Sequence, residues 1–246
     1  MLNRISRLLV LVVMVVGAAA GTRSSTIPIA YFECARDTCY ADTVAMCVGR
    51  VLDFSVVNRL GIRDAHQVAG WVQVYGSKLR FDQVMRSSPG WPPNVTVPRT
   101  YLGVAQDRVL RVVSWPAYHD VHPDHGKSEY HALIAHEIAH LLHVAAVNGR
   151  DQDMGPVWFY EGFAVLVAGQ YLGHPLPNPN RMREILHSDK RGDYREYGAL
   201  VRGLAARVPI AELLRRAMRP NFSTYVESVL QRPPSKMESE SSRPHE

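Results

Sequence analysis

The stretch His131-Ala132-Leu133-Ile134-Ala135-His136-Glu137-Ile138-Ala139-His140-Leu141-Leu142-His143 decides how this chain is read. Residues four apart on a helix lie one turn above each other on a single face. His136 and His140 have that spacing, and two imidazoles so arranged can meet one metal ion. Glu137 lies a step around the helix, where it can hold a water bound to that metal. The flanks also read as helix. Ser128 stands where it can cap the start, Glu129 to Val147 contains neither Pro nor Gly, and Asn148-Gly149 is a stop signal. Leu133, Ile134, Ile138, Leu141, Leu142 and Val144 would bury this helix in a core.

A catalytic zinc site typically takes three protein ligands and leaves a fourth position for water. Downstream, Gly155-Pro156-Val157-Trp158-Phe159-Tyr160-Glu161-Gly162-Phe163-Ala164-Val165 reads as a second helix, with Pro156 suited to its first turn. Glu161 is its only acid. A lone carboxylate among apolar and aromatic residues is costly unless it pairs with a charge or a metal. Gly162 lowers helix propensity, which predicts that another backbone or the metal site approaches closely there.

His136-Glu137-x-x-His140 followed by Trp158-x-x-Glu161-Gly162-x-Ala164 resembles the gluzincin metallopeptidases, the thermolysin-like, peptidase MA-like group. The resemblance implies that His136, His140 and Glu161 bind one Zn2+ per chain and that Glu137 is the general base. It also implies an α+β fold of zincin type: a small N-terminal mixed sheet, the metal helix, a second ligand helix and a C-terminal helical lobe. The metzincin pattern needs a Gly and then a third His after the motif, and those places hold His143 and Ala146. Three histidines stacked on one straight helix cannot easily surround one ion, so His143 reads as a supporting or structural residue.

Tyr194-Arg195-Glu196-Tyr197-Gly198-Ala199-Leu200 resembles the gluzincin stretch that follows the third ligand, from which a Tyr or His hydrogen-bonds the oxyanion. Tyr197 fits that role first and Tyr194 next. Gly103 to Ala105 would be the edge strand that pairs with an extended peptide, by backbone hydrogen bonds that accept almost any sequence. The activity implied is hydrolysis of peptide bonds in a peptide or protein substrate. Gly103-Val104-Ala105-Gln106 carries no acid to hold a substrate amino terminus, which favours an endopeptidase. Two alternatives remain at this stage: a gluzincin-like zinc-binding protein that cleaves nothing, and a peptidase dedicated to one protein.

Residues 1 to 20 read as a signal peptide: Arg4 and Arg7, then an apolar run from Leu8 ending in Ala18-Ala19-Ala20. That run is short for a membrane span, so the expectation is a secreted or periplasmic protein with no stable membrane span after cleavage. The segment 21–70 holds Cys34, Cys39 and Cys47. An oxidising compartment favours one disulfide among them, Cys34 with Cys39 or Cys39 with Cys47. Residues 71–230 read as the catalytic domain and 231–246, rich in Pro, Ser and Glu, as a disordered tail. The formal net charge is +5 at pH 7, without a Lys/Arg stripe interleaved with aromatics, so nucleic acid is not a favoured partner. Oligomeric state is not legible.

Smaller elements follow from pattern. Ala41 to Asn58 has apolar helical spacing, Trp71 to Tyr75 alternates as a strand, and Phe81 to Met85 reads as a short helix. Tyr101 to Ala105 and Arg108 to Val113 flank Gln106-Asp107 as a hairpin or a strand with a bulge. His119, His122 and His125 read as solvent-exposed histidines of an irregular loop. Helices are expected at Arg181 to His187, Tyr194 to Arg207, Ile210 to Met218 and Phe222 to Leu230.

Overall fold

The computed structural model describes residues 11–14, 27–32, 38–88, 91–92 and 94–232. The strands are β1 (Leu11–Met14), β2 (Pro28–Phe32), β3 (Trp71–Tyr75), β4 (Gly103–Gln106) and β5 (Val109–Val113). They form one mixed sheet in the order β1-β2-β3-β5-β4. β2, β3 and β5 run parallel, with Ile29 opposite Val72 and Val72 opposite Leu110. β1 and β4 are antiparallel edges. β1 lies inside the expected signal segment, whose other residues are outside the described ones, and loss of that segment would leave the four strands β2-β3-β5-β4.

The helices are α1 (Thr38–Val57), α2 (Ala65–Val68), α3 (Lys78–Arg86), α4 (Trp115–Val121), α5 (Lys127–Ala146), α6 (Val157–Ala168), α7 (Pro179–Leu186), α8 (Tyr194–Ala205), α9 (Ile210–Ala217) and α10 (Phe222–Leu230). The α/β architecture is mostly helical. α5 is the hub: it packs against α1, α6 and β4, and α6 in turn packs against α8. One apolar core runs from Ile29, Val72 and Leu110 of the sheet through Ile134, Ile138 and Leu142 of α5 to Phe163 of α6 and Leu200 of α8. β2 and α1 contribute to that same core, so the Cys-containing segment is built into it.

Several details differ from the sequence expectation. The hairpin turns at Asp107-Arg108, one residue later than Gln106-Asp107. Both turn residues have positive φ, 51° and 62°, which is the tight turn whose twist matches the flanking strands. His119 is on α4, where a loop was expected; Pro116 in the first turn starts this helix and Ala117 and Tyr118 bury its inner face. β2 and α2 had no pattern long enough to be read.

The cysteine pairing narrows. Cys39 and Cys47 share α1 eight residues apart, about 12 Å along a helix axis. A disulfide needs Cα atoms closer than about 7 Å, so Cys39 cannot pair with Cys47. Cys34 and the tail from residue 233 lie outside the described residues. Cys47 is buried, its Sγ donates to the His131 carbonyl at 3.4 Å, and burial pushes its thiol up to about 12.

Candidate metal centre

α5 is fixed at its start by Glu129, whose Oε2 accepts the Gly126 N–H at 3.0 Å and the Ser128 hydroxyl at 2.8 Å. The helix therefore begins at Lys127, ahead of the expected Ser128 cap. The Tyr130 hydroxyl donates to the Val113 carbonyl at 2.7 Å, tying the same turn to the end of β5. From that anchor, Ile134, Ile138 and Leu142 point into the core, and His136, Glu137 and His140 turn towards β4 and α6.

α6 brings Glu161 to meet them. Its Oε2 lies 3.2 Å from His136 Nε2 and 3.5 Å from His140 Nε2. Ligand atoms of the three residues all lie within 4.8 Å of one another, and among the described residues no other His/Cys/Asp/Glu group is so arranged. The side chains are only 11%, 12% and 3% exposed for His136, His140 and Glu161. The cluster could hold a metal ion.

The hydrogen bonding favours a cation there. Gln170 Oε1 lies 3.0 Å from His136 Nδ1. Because that oxygen only accepts, Nδ1 carries the proton, and in the neutral ring Nε2 is then a bare acceptor facing the Glu161 oxygen. Two buried acceptors in contact require a proton or a metal between them. Without a metal, burial disfavours the His136 imidazolium, but the Glu161 hydrogen bond and the charges of Glu137 and Glu161 outweigh it and raise His136 above its ordinary value. Burial alone would push Glu161 up, yet hydrogen bonds from both imidazoles hold it well below the usual carboxylate range. His140 Nδ1 is buried without a protein partner.

Glu137 lies against the sheet edge. A Cβ on Gly103 would stand 3.0 Å from Glu137 Cγ and 3.4 Å from its Oε1, so the bare glycine makes room for the carboxylate. A cleft of about 470 Å³ opens between β4, α5 and α6, lined among others by Gly103, Glu137, Tyr160, Glu161, Arg191 and Tyr194. β4 is the edge of the sheet, as expected for Gly103 to Ala105. No protein-family model and no curated protein matches this chain.

The two tyrosines part company. Tyr194 lines the cleft, its ring 6.0 Å from that of His136, and burial together with the Glu161 charge raises its phenol. Tyr197, the first choice for the oxyanion role, is instead buried and donates to the Lys190 carbonyl at 2.6 Å. The cause is the α6–α8 crossing. A Cβ on Gly162 would be 2.5 Å from the Tyr197 carbonyl oxygen, so this is the close backbone approach that Gly162 predicted.

His143 lies outside this group. It is fully buried, its ring lies 5.7 Å and 5.1 Å from those of Phe159 and Phe163, and neither nitrogen has a partner. Of the other histidines, His119 and His125 are exposed, and His122 is partly buried and stacks on His125 at 4.6 Å. Sequence reasoning missed three cleft residues: Gln170, just past the end of α6, Tyr160 and Arg191. Gln170 and Arg191 sit in polar connecting segments without periodicity, so no pattern marked them. Tyr160 stood within the quoted ligand segment, one residue before Glu161, but nothing distinguished it from the packing aromatics around it.

Proposed function

We propose that this chain is a zinc-dependent peptidase of gluzincin type that hydrolyses peptide bonds. The observation that carries the reading is the convergence of His136 Nε2 and His140 Nε2 on Glu161 Oε2, with Glu137 between this group and a free sheet edge. Two imidazoles and one carboxylate are the donor set of catalytic zinc, and the facing acceptors of His136 and Glu161 fit a cation. His136, His140 and Glu161 would hold the ion, with Gln170 orienting the His136 ring. Zinc bound there would lower the pKa of a water towards ~7 and polarise the scissile carbonyl.

The remaining chemistry belongs to side chains of this chain. β4, an edge strand among the described residues, offers the backbone groups of its outer edge to an extended substrate strand. Glu137, held against Gly103, accepts the proton of the attacking water and returns it to the leaving amine. The Tyr194 phenol, kept protonated by its surroundings, donates a hydrogen bond to the oxyanion. The Arg4 to Ala20 segment supports export, and among the described residues no helix is long and apolar enough to cross a membrane.

The test is metal content by mass spectrometry of the purified chain and of Glu161→Ala, beside peptide-library cleavage by wild type and Glu137→Gln. About one zinc per chain, lost in Glu161→Ala, with cleavage abolished in a zinc-bound Glu137→Gln, is the expected result. A wild type that takes up no metal under zinc-replete conditions, or a Glu137→Gln protein of full activity, overturns the proposal.

A further inference from the structure

Among the described residues, the charged side chains lining the cleft are Glu137, Glu161 and one cation, Arg191. Both carboxylates have tasks at the metal group. Arg191 is placed differently. Its Nε lies 3.6 Å from Glu161 Oε1, its Nη2 donates to the Tyr160 hydroxyl at 3.0 Å, and its side chain lines the cleft and is 58% exposed. A guanidinium has five N–H donors in a rigid fork, so donors remain available on the open side.

Arg191 is also held in place by its neighbours. The Tyr197 hydroxyl grips the Lys190 carbonyl at 2.6 Å, immediately before it. After it, Gly192 takes a φ of 127°, open to glycine and strained for other residues, which turns the chain back towards α8. Asp193 Oδ2 then accepts from Arg181 Nη2 at 2.7 Å, and Arg181 also binds Glu196 of α8 at 2.7 Å. A surface turn tied at both ends presents one arginine beside the metal ligands.

We propose that Arg191 recognises a carboxylate of the substrate, so that the enzyme prefers peptides carrying one next to the cleaved bond. The proposal rests on the peptidase reading above. A divalent ion among His136, His140 and Glu161 would offset the two glutamates and leave the Arg191 charge as the excess in the cleft. The planar fork matches a carboxylate through two parallel hydrogen bonds. The carboxylate has two sources, the C-terminus of the peptide or an Asp or Glu side chain flanking the scissile bond. Among the described residues the cleft offers no further acid to hold a substrate amino terminus.

The experiment uses the zinc-loaded full chain and one peptide library in three forms: free C-terminal acid, C-terminal amide, and amide with Asp or Glu fixed at successive positions. Cleavage is read by mass spectrometry. Binding of the same peptides to zinc-loaded Glu137→Gln is measured by calorimetry. A carboxylate preference of roughly ten- to a hundredfold in kcat/KM and in affinity is expected, the strength of a charge-assisted contact. The acid form winning would assign the C-terminal carboxylate, and an internal acid winning would assign the side chain. In Arg191→Gln the ratio of carboxylated to neutral peptides should fall towards one, while Arg191→Lys keeps part of it. Zinc content and far-UV circular dichroism of both variants establish that the fold survives. Equal cleavage and binding of acid, amide and neutral library members by a zinc-loaded active enzyme would overturn the Arg191 proposal alone. So would a preference unchanged in Arg191→Gln. Absence of zinc and of cleavage would instead overturn the peptidase reading, and this proposal with it.

Discussion

His143 makes the stability of this protein depend on pH in a way that can be measured. The imidazole is fully buried between Phe159 and Phe163, neither nitrogen has a partner, and its titratable neighbour is His140. Burial, with a smaller contribution from His140, lowers it from 6.5 to about 3. The folded pKa is therefore below the unfolded one. Between those values the unfolded chain binds a proton that the folded chain does not, so stability rises with pH up to 6.5 and is flat above it. Each unit below 6.5 removes about 1.4 kcal/mol, so the step from pH 6.5 to 5 costs roughly 2 kcal/mol. That is a large share of a typical 5–15 kcal/mol. Urea unfolding of wild type and His143→Leu at pH 5, 6, 7 and 8 tests it. The difference between the two proteins isolates the His143 contribution. Wild type should lose roughly 2 kcal/mol more than His143→Leu between pH 7 and 5. At pH 7 the variant should be the more stable, because two unpaired buried nitrogens cost about 1–3 kcal/mol each. Parallel pH curves for the two proteins would refute the assignment of His143 as a buried neutral base.

Two glycines give further tests. In Gly103→Ala the new Cβ would stand 3.0 Å from Glu137 Cγ and shift the carboxylate by a few tenths of an ångström; kcat should fall on the order of tenfold with zinc content unchanged, as steady-state kinetics and metal analysis would report. In Gly162→Ala the Cβ would meet the Tyr197 carbonyl at 2.5 Å, a backbone atom that cannot swing away. The α6–α8 crossing must open, at a cost of about 1–3 kcal/mol. Thermal melting should then show a loss of several degrees, on the order of 2–4 °C per kcal/mol, together with weaker zinc binding.

The cluster of His136, His140 and Glu161 was legible because its information is local. His136, Glu137 and His140 sit on one helix, where spacing alone fixes their faces, and Glu161 stood out as the lone acid of an apolar segment. β3 and α10 were read with their observed bounds, since Trp71 to Tyr75 alternates and Phe222 to Leu230 carries an apolar stripe ended by polar residues. β2 was not read: five residues, Pro28–Phe32, carry no period, and the strand exists because it pairs with β3 on one side. α4 was hidden because Pro123 and Gly126 suggested a loop around His119, although Pro116 was already the signal for a first helical turn. The hairpin was shifted by one because Asp107-Arg108 lacks the glycine that usually marks positive φ.

Tyr194 and Tyr197 show what a helix pattern leaves open. Tyr194, Tyr197, Gly198 and Val201 form one inward stripe of α8, so spacing cannot choose between the two phenols. The choice is made along the axis. α6 covers α8 from Tyr197 onwards, through Gly162 against the Tyr197 carbonyl and Val165 against Gly198. Tyr194, one turn nearer the start, emerges beyond that cover into the cleft beside His136. Tyr197 is left to hold Lys190 from below, and through that grip it sets where Arg191 stands. A residue that the resemblance suggested for the oxyanion thus holds the backbone one residue before the cleft-lining Arg191.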